Sequence, residues 1–370
     1  MSSMLPAPPK TLGMLGDVLI SALQSVSGEK NSLDLPKRRS VCVILIDGLG
    51  ASNLKSAGAH AGFLNSKPSI SASCFFPATT STSLVSFATG KPPWETGFLG
   101  YQIYDRAAGL RRNLLNGWNS QQEAKVFQGL ETVSEKAVAN SIEFHTIAPS
   151  AYRESGFTAA TMRGSEFHGT KSIAERFEKA KDLLSDANEK LVYLYIAELD
   201  QIAHAQGWKS QSWLNQLEDV DGYIAKLASD LRKNSGIIVT ADHGIVDVPH
   251  SSHIYLDELL SEDELLDVGG DTRALFLYLK NPEAIEATMA QLEAELGDSC
   301  YVVNPRILIE AGYWKENRDL DLVPDIVVMA KKEVALYHRG FAKKKSLEMI
   351  GHHGSISQQE MSIPLITLGF

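Results

Sequence analysis

Three short apolar runs in this chain each lead to an aspartate: VCVILI before Asp47, LVYLYIAEL before Asp200, and GIIVTA before Asp242. Continuous runs of this length, rich in β-branched and aliphatic residues, suit strands buried on both faces, as in parallel sheets. DIVVMA at 325–330 and PLITLGF at the end repeat the pattern. Helical periodicity fills the gaps at 131–140, 171–187, 211–233 and 282–296. Strands alternating with helices predict an α/β fold, with a mostly parallel central sheet flanked by helices. In such open sheets ligands bind beyond the carboxyl ends of the strands. Asp47, Asp200 and Asp242 therefore converge on one edge, where their charges repel one another unless cations are present.

The 370 residues suffice for one large domain with an insertion, or for two domains. Residues 1–39 read as an N-terminal helix over 11–26 followed by a polar linker, and residues 40–370 as the main domain. Within the main domain, 253–320 holds the strand pattern TRALFLYLK, the helix pattern PEAIEATMAQLEAEL and the strand pattern CYVV. A small α+β insertion, placed to act as a lid, is expected there.

The formal net charge of −10 excludes broad non-specific binding to nucleic acid or to an anionic membrane. It does not exclude phosphate substrates, because bound divalent cations reverse the local sign of a site. Cys42, Cys74 and Cys300 are scattered and odd in number, so no disulfide framework or cysteine metal site follows. The first 30 residues lack the basic and then apolar order of a secretory leader, and no apolar run reaches the ~20 residues that span a bilayer. A cytoplasmic protein is expected.

Several residue groups have the chemistry of ligands. Asp200 and His204 stand four apart, so they share one face if this stretch is helical. Taken alone, the pair reads as a surface pair near a helix start. Asp242-His243-Gly244 is a stronger signal, with two ligand types leaving a strand end and a glycine that permits a sharp turn. Asp47 reads equally as a ligand or as a turn-capping residue. His352 and His353 precede Gly354, and only one of them is needed. In FFPATTSTSLVSFATG, residues 75–90, hydroxyl residues 79–83 precede an apolar helical pattern. A hydroxyl there is ordinarily a helix cap. A helix N-terminus also receives phosphate, and a hydroxyl beside a metal attacks phosphorus once its pKa is lowered.

Imidazole and carboxylate ligands suit zinc, and carboxylates also suit manganese. The glycines at 48–50 form no dinucleotide fingerprint, and no P-loop is present. His60, His145, His168, His250, His253 and His338 are read as structural or surface residues, with His250 or His253 near enough to the DHG turn to line a pocket. Phe75, Phe76, Trp94, Phe98 and Tyr101 flank the hydroxyl-rich segment and are mostly core, with one or two left to stack on a nucleobase.

The ordered set LIDGLG, FPATT…TG, ELDQIAH, TADHG and HHG, spanning about residues 41–354, resembles the alkaline phosphatase superfamily. The nearest branch is that of the nucleotide pyrophosphatases and phosphodiesterases. The resemblance implies an alkaline-phosphatase-like catalytic domain. It implies hydrolysis of phosphodiesters or nucleotide pyrophosphates through a covalent phospho-threonine, acting on a small phosphate-ester or nucleotide substrate. The nucleophile is then Thr80, three residues after Pro77 and correctly spaced from Thr89-Gly90; Thr79 fits less well. Two divalent ions are implied, zinc or alternatively manganese. One is held by Asp200, His204 and His353, the other by Asp47, Asp242, His243 and Thr80. His353 is preferred because it directly precedes Gly354. Ser83 stands where the resemblance leads one to expect an asparagine that contacts the phosphoryl oxygen, and its hydroxyl offers one donor in place of two.

Two alternatives remain open. One is a phosphomonoesterase, or a related phosphonate or sulfate ester hydrolase. An arginine beside the metals, from among Arg163, Arg273 and Arg339, favours a dianionic monoester. The other is a non-catalytic phosphate-ligand sensor, against which stands the presence of every ligand and of the nucleophile.

Overall fold

The computed structural model, which describes residues 5–186, 188–316 and 319–370, is built on an eight-stranded sheet. Its strands are β1 (Gly13–Met14), β2 (Ser40–Ile46), β3 (Ser69–Ser73), β4 (Glu143–Pro149), β5 (Glu166–Thr170), β6 (Lys190–Ile196), β7 (Ser235–Thr240) and β8 (Ser362–Leu368). Their order across the sheet is β1-β3-β8-β7-β2-β6-β4-β5. All run parallel except β8, which lies antiparallel between β3 and β7. The expected mostly parallel sheet flanked by helices is thus present. Every residue of β2, β6 and β7 is buried, which is why these runs read as continuously apolar rather than alternating. At about 1.5–3 kcal/mol for each fully buried large aliphatic side chain, these three strands anchor the molecule.

The helix expected at 11–26 runs from Leu15 to Ser27 and ends at Gly28 in a left-handed conformation. The residues just before it form β1, which pairs with β3, so this N-terminal stretch belongs to the main sheet. Leu15, Val18, Leu19, Ala22 and Val26 are fully buried in the main core. Several other helices carry the caps that their sequences suggest. Ser172 caps Ile173–Ser185 and Ser210 caps Gln211–Ser229, while Thr132 and Glu135 form a reciprocal capping box at Val133–Ala139. No helix among the described residues is long and apolar enough to cross a membrane.

A second, six-stranded sheet has the order Cys300–Val303, Ile326–Ala330, Ala274–Leu279, Leu265–Asp271, Gln102–Asp105 and Leu110–Asn113, every pair antiparallel. The expected insertion at 253–320 supplies only part of it. DIVVMA, read with the main-sheet strands, lies here instead, and residues 102–113 join from the opposite end. The two-residue period explains the arrangement. Leu275, Leu277, Ile326 and Val328 face a small core of their own with the helix Ile285–Leu296. Phe276, Tyr278, Val327 and Met329 face the main core. Cys42, Cys74 and Cys300 are buried free thiols, as expected of small apolar side chains.

Candidate active site

The carboxyl ends of β2, β6 and β7 bring the three aspartates together. Asp47 directly follows β2, and its backbone N–H donates to the Ile196 carbonyl at the end of β6 at 2.9 Å. With α1 as Leu15–Ser27 and α2 as Thr80–Thr89, Asp200 lies in the first turn of α3 (Glu198–Gln206). Asp242 follows β7 by two residues, and its Oδ1 accepts from the backbone N–H groups of Gly48 at 3.1 Å and His243 at 3.0 Å. Gly48 adopts φ +72°, and a Cβ there would stand 3.0 Å from Asp200 Oδ1. The turn after β2 therefore needs glycine, both for its backbone and for room beside Asp200.

Thr80 is the first residue of α2, and no side chain caps that helix. The Thr79 hydroxyl instead donates to Asp271 Oδ2 at 2.9 Å. The Thr80 hydroxyl oxygen lies 3.2 Å from His243 Nε2. That nitrogen also lies 3.5 Å from Asp47 Oδ1 and 3.5 Å from Asp242 Oδ2. His204 Nε2 is 3.1 Å from Asp200 Oδ2. The imidazoles of His243 and His353 stack with centroids 3.8 Å apart.

The three histidines share one orientation. Nδ1 of His204 faces the Gly351 carbonyl at 2.8 Å, Nδ1 of His353 faces the Ala78 carbonyl at 2.9 Å, and Nδ1 of His243 faces the Gly244 carbonyl at 3.2 Å. Donation from each Nδ1–H directs Nε2 at the cluster, where loss of any proton leaves the lone pair of a metal-binding imidazole. His352 differs: its Nδ1 faces the Thr272 hydroxyl at 2.9 Å and its Nε2 the Met349 carbonyl at 3.2 Å, so both of its nitrogens are engaged.

Asp47 Oδ1, Asp200 Oδ1 and Asp242 Oδ2 are buried without any hydrogen-bond partner. Burial, followed by repulsion from Asp242 and Asp200, holds the Asp47 carboxyl well above its usual range. Burial also raises Asp242. Burial pushes Asp200 upward too, but His204 outweighs it and holds Asp200 below its ordinary value. For His204, burial lowers proton affinity and Asp200 reverses this, to about 9. Burial and the neighbouring His243 press His353 well down.

This donor set fits divalent metal. Imidazole and carboxylate ligands about 2.0–2.1 Å from tetrahedral zinc stand about 3.3–3.4 Å from each other. The separations of 3.1, 3.2, 3.5 and 3.5 Å given above bracket that value. Ligand atoms of Asp47, Asp242 and His243, and those of Asp200, His243 and His353, lie within 4.8 Å of one another in each group. The two groups share His243. The sequence reading paired Asp200 with His204 rather than with His243; the structure sets both imidazoles around it.

A cavity of about 1000 Å³ opens beside Thr80, Asp47, Asp200, His204 and His353. Ser83, expected to contact a phosphoryl oxygen, does not line it. The Ser83 hydroxyl is wholly buried next to the Cys74 thiol, because the helix turns that position into the core. No arginine lines the cavity among the described residues. Arg163 is bound to Glu135, Arg273 to Glu360 and Arg339 to Asp257. Of the flanking aromatics, Phe75 packs on Trp94, Phe76 on Trp314 and Phe98 on Trp118, while Tyr101 reaches the cavity.

Sequence reasoning missed two neighbours of the site. Tyr195 donates its hydroxyl hydrogen to Asp47 Oδ2. Tyr193 and Tyr195 alternate in β6 and both line the cavity, so the two-residue period held the signal. Asp271 arrives from the second sheet, accepts from Thr79, and lies 3.6 Å from His353 Nδ1. Nothing in its sequence context marked it.

A family model described as type I phosphodiesterase / nucleotide pyrophosphatase matches residues 41–356. No curated protein matches the chain. Among solved structures, a murine ectonucleotide pyrophosphatase / phosphodiesterase 5 is similar at 18% identity and a TM-score of 0.68, over 88% of this chain and 87% of that one. An inactive threonine-to-alanine variant of the murine protein was solved in complex with AMP, and matches at 18% identity and a TM-score of 0.67 over 88% and 87%. Phosphonoacetate hydrolase from Sinorhizobium meliloti 1021, in complex with phosphonoformate, is similar at 20% identity and a TM-score of 0.67, over 90% of each chain.

Proposed function

This chain belongs to the type I phosphodiesterase / nucleotide pyrophosphatase family, and from that premise we propose that it hydrolyses small phosphodiesters or nucleotide pyrophosphates, with Thr80 as the nucleophile. One observation carries this reading. The Thr80 hydroxyl stands at a helix N-terminus, against a cluster whose outward carboxylate oxygens have no partner within the protein. The residues fit two divalent ions, zinc by ligand type. Asp200, His204 and His353 would hold one ion, and Asp47, Asp242, His243 and Thr80 the other. Bound there, such ions lower the pKa of a hydroxyl and neutralise charge on the attacking and leaving oxygens.

The chain's own residues do the rest. Thr80 Oγ1, its proton released to solvent, attacks phosphorus in line, forming the Oγ–P bond as the ester P–O bond breaks and the leaving oxygen takes a proton from solvent. Water then cleaves the phospho-threonine. The open N-terminus of α2 directs N–H groups and a favourable dipole at the developing negative charge. Donation from Thr79 to Asp271 holds the residue before the nucleophile, so that α2 begins in a fixed position. The second sheet covers the cavity, and we assign to it the selection of the leaving group.

The cavity wall distinguishes the substrates. A bidentate arginine clamp on a monoester dianion is missing from the cavity wall among the described residues. This favours the diester, whose phosphoryl group carries a single charge. A phosphonate hydrolase is the second reading, because Lys343 and Lys345 line the same cavity and would suit a second anionic group on the substrate. An inactive variant of the murine relative was solved with AMP, a nucleoside monophosphate of the kind that nucleotide pyrophosphate hydrolysis releases, and the bacterial relative with phosphonoformate. Zinc-loaded protein is predicted to turn over bis-p-nitrophenyl phosphate faster than p-nitrophenyl phosphate. Phosphonoacetate serves as the third substrate, and exclusive turnover of either competitor overturns the diester assignment.

A further inference from the structure

The tripeptide Glu-Phe-His occurs twice, as Glu143-Phe144-His145 at the start of β4 and as Glu166-Phe167-His168 at the start of β5. These strands are parallel neighbours at one edge of the main sheet, with Glu166 beside His145 and His168 beside Ile147. Alternate residues share a face of a strand, so Glu143, His145, Glu166 and His168 form one stack. It stands at the amino ends of the strands, opposite the edge that carries Asp47, Asp200 and Asp242.

His145 Nδ1 and His168 Nε2 are 3.1 Å apart. His145 Nδ1 is 3.5 Å from one oxygen of Glu166, and His168 Nε2 is 3.5 Å from the other. His145 Nε2 lies 3.3 Å from Glu143 Oε2. Glu143 is itself fixed by Lys190 at 3.1 Å and by the Asn188 side chain at 2.8 Å. An Nε2–H that donates to this carboxylate leaves His145 Nδ1 as a lone pair facing His168 and Glu166. Two imidazole nitrogens and a carboxylate gathered this closely are joined by an N–H···N hydrogen bond between neutral rings, by a shared proton, or by a metal ion.

The distances suit a metal ion. Ligands on tetrahedral zinc stand about 3.3–3.4 Å apart, close to the separations here. A carboxylate behind an imidazole is also the arrangement that orients metal-binding histidines. His145 is 5% exposed, so its ring is held in place, while the Glu166 side chain is 67% exposed and free to close over an ion.

We propose that His145, His168 and Glu166 form a separate binding site for a divalent transition metal, zinc by ligand type, that ties the edge strand β5 to β4. The site is distinct from the catalytic cluster and takes no part in the reaction. Its consequence is mechanical. Phe167, between Glu166 and His168, lines the substrate cavity on the other face of β5, as Thr146 and Ala148 of β4 do. Metal at this edge stiffens that wall.

The test is equilibrium dialysis of the chelator-stripped protein against Zn²⁺, with zinc per chain measured by elemental analysis. Wild type, His168→Asn and Glu166→Gln are compared, together with their melting temperatures and turnover. Each variant is expected to hold one zinc ion fewer per chain and to keep turnover within about two-fold of wild type, as expected for distant sites. Each variant also loses the rise in melting temperature that wild type shows beyond the zinc concentration that saturates activity. If His168→Asn does not fold, the exposed Glu166→Gln supplies the same comparison. Equal zinc content in wild type and variants overturns the proposal. So does a wild-type melting temperature that rises no further once zinc has saturated activity.

Discussion

The phenolic hydroxyl of Tyr195 donates to Asp47 Oδ2, while Asp47 Oδ1 has no hydrogen-bond partner and lies 3.5 Å from His243 Nε2. A single hydrogen bond thus determines which oxygen faces the cluster. Tyr195→Phe keeps the ring packing and removes that constraint. Loss of such a supporting contact costs about 10–100-fold in metal affinity or activity. Zinc titration of chelator-stripped protein should show weaker binding in this range, with an unchanged circular dichroism spectrum. Wild-type affinity in Tyr195→Phe contradicts the role.

Removing metal should make stability depend on pH in a definite direction. Asp47 and Asp242 have folded values raised above the ordinary 3.8, so the metal-free folded state binds more protons than the unfolded chain. Stability from these groups is present at acid pH and declines as pH rises above that ordinary value. His204 acts in the same sense, its contribution being complete below 6.5 and lost as pH rises through about 9. Asp200, held low, acts oppositely and only in acid. The melting temperature of stripped protein is therefore expected to fall between pH 6.5 and 9, and zinc is expected to flatten the curve. Asp47→Asn should raise the melting temperature of stripped protein at pH 8 while weakening zinc binding. Differential scanning calorimetry with and without zinc reads both effects.

Gly48 offers a sharper structural test. Its φ of +72° costs an alanine about 1–2 kcal/mol, and the added Cβ would meet Asp200 Oδ1 at 3.0 Å. Gly48→Ala is expected to lose stability by about that amount in urea denaturation. It should also lose more zinc than the stability change alone explains, because Asp200 must move. Full zinc content in a folded Gly48→Ala protein would show that Asp200 is not constrained as described.

Much of the site was legible before the fold. Asp47, Asp200 and Asp242 follow buried parallel strands, and that position alone gathers them on one edge. The convergence of His353 and Thr80 came from motif order, because no local pattern joins residues so far apart in sequence. Ser83 was misplaced because a one-dimensional offset does not say which side of α2 a residue occupies. Tyr195 read only as a strand residue, since its role depends on the neighbouring strand. The second sheet was underestimated for a related reason. A strand pattern shows that a segment is extended, not which partner it joins, so 102–113 and 326–330 could not be assigned to the insertion. The paired Glu-Phe-His tripeptides carried no meaning until β4 and β5 were side by side.

The measurement that tests the account most directly is turnover of bis-p-nitrophenyl phosphate by zinc-loaded Thr80→Ala, set against Thr79→Val and wild type at equal metal content. Thr79 already donates to Asp271, whereas the Thr80 hydroxyl faces His243 and the unpartnered carboxylates. Loss of a catalytic nucleophile costs orders of magnitude in kcat. Thr80→Ala should retain zinc and fall by about 10³-fold or more, while Thr79→Val should fall by about ten-fold at most, as for loss of one hydrogen bond. Undiminished turnover by metal-loaded Thr80→Ala would contradict the central claim.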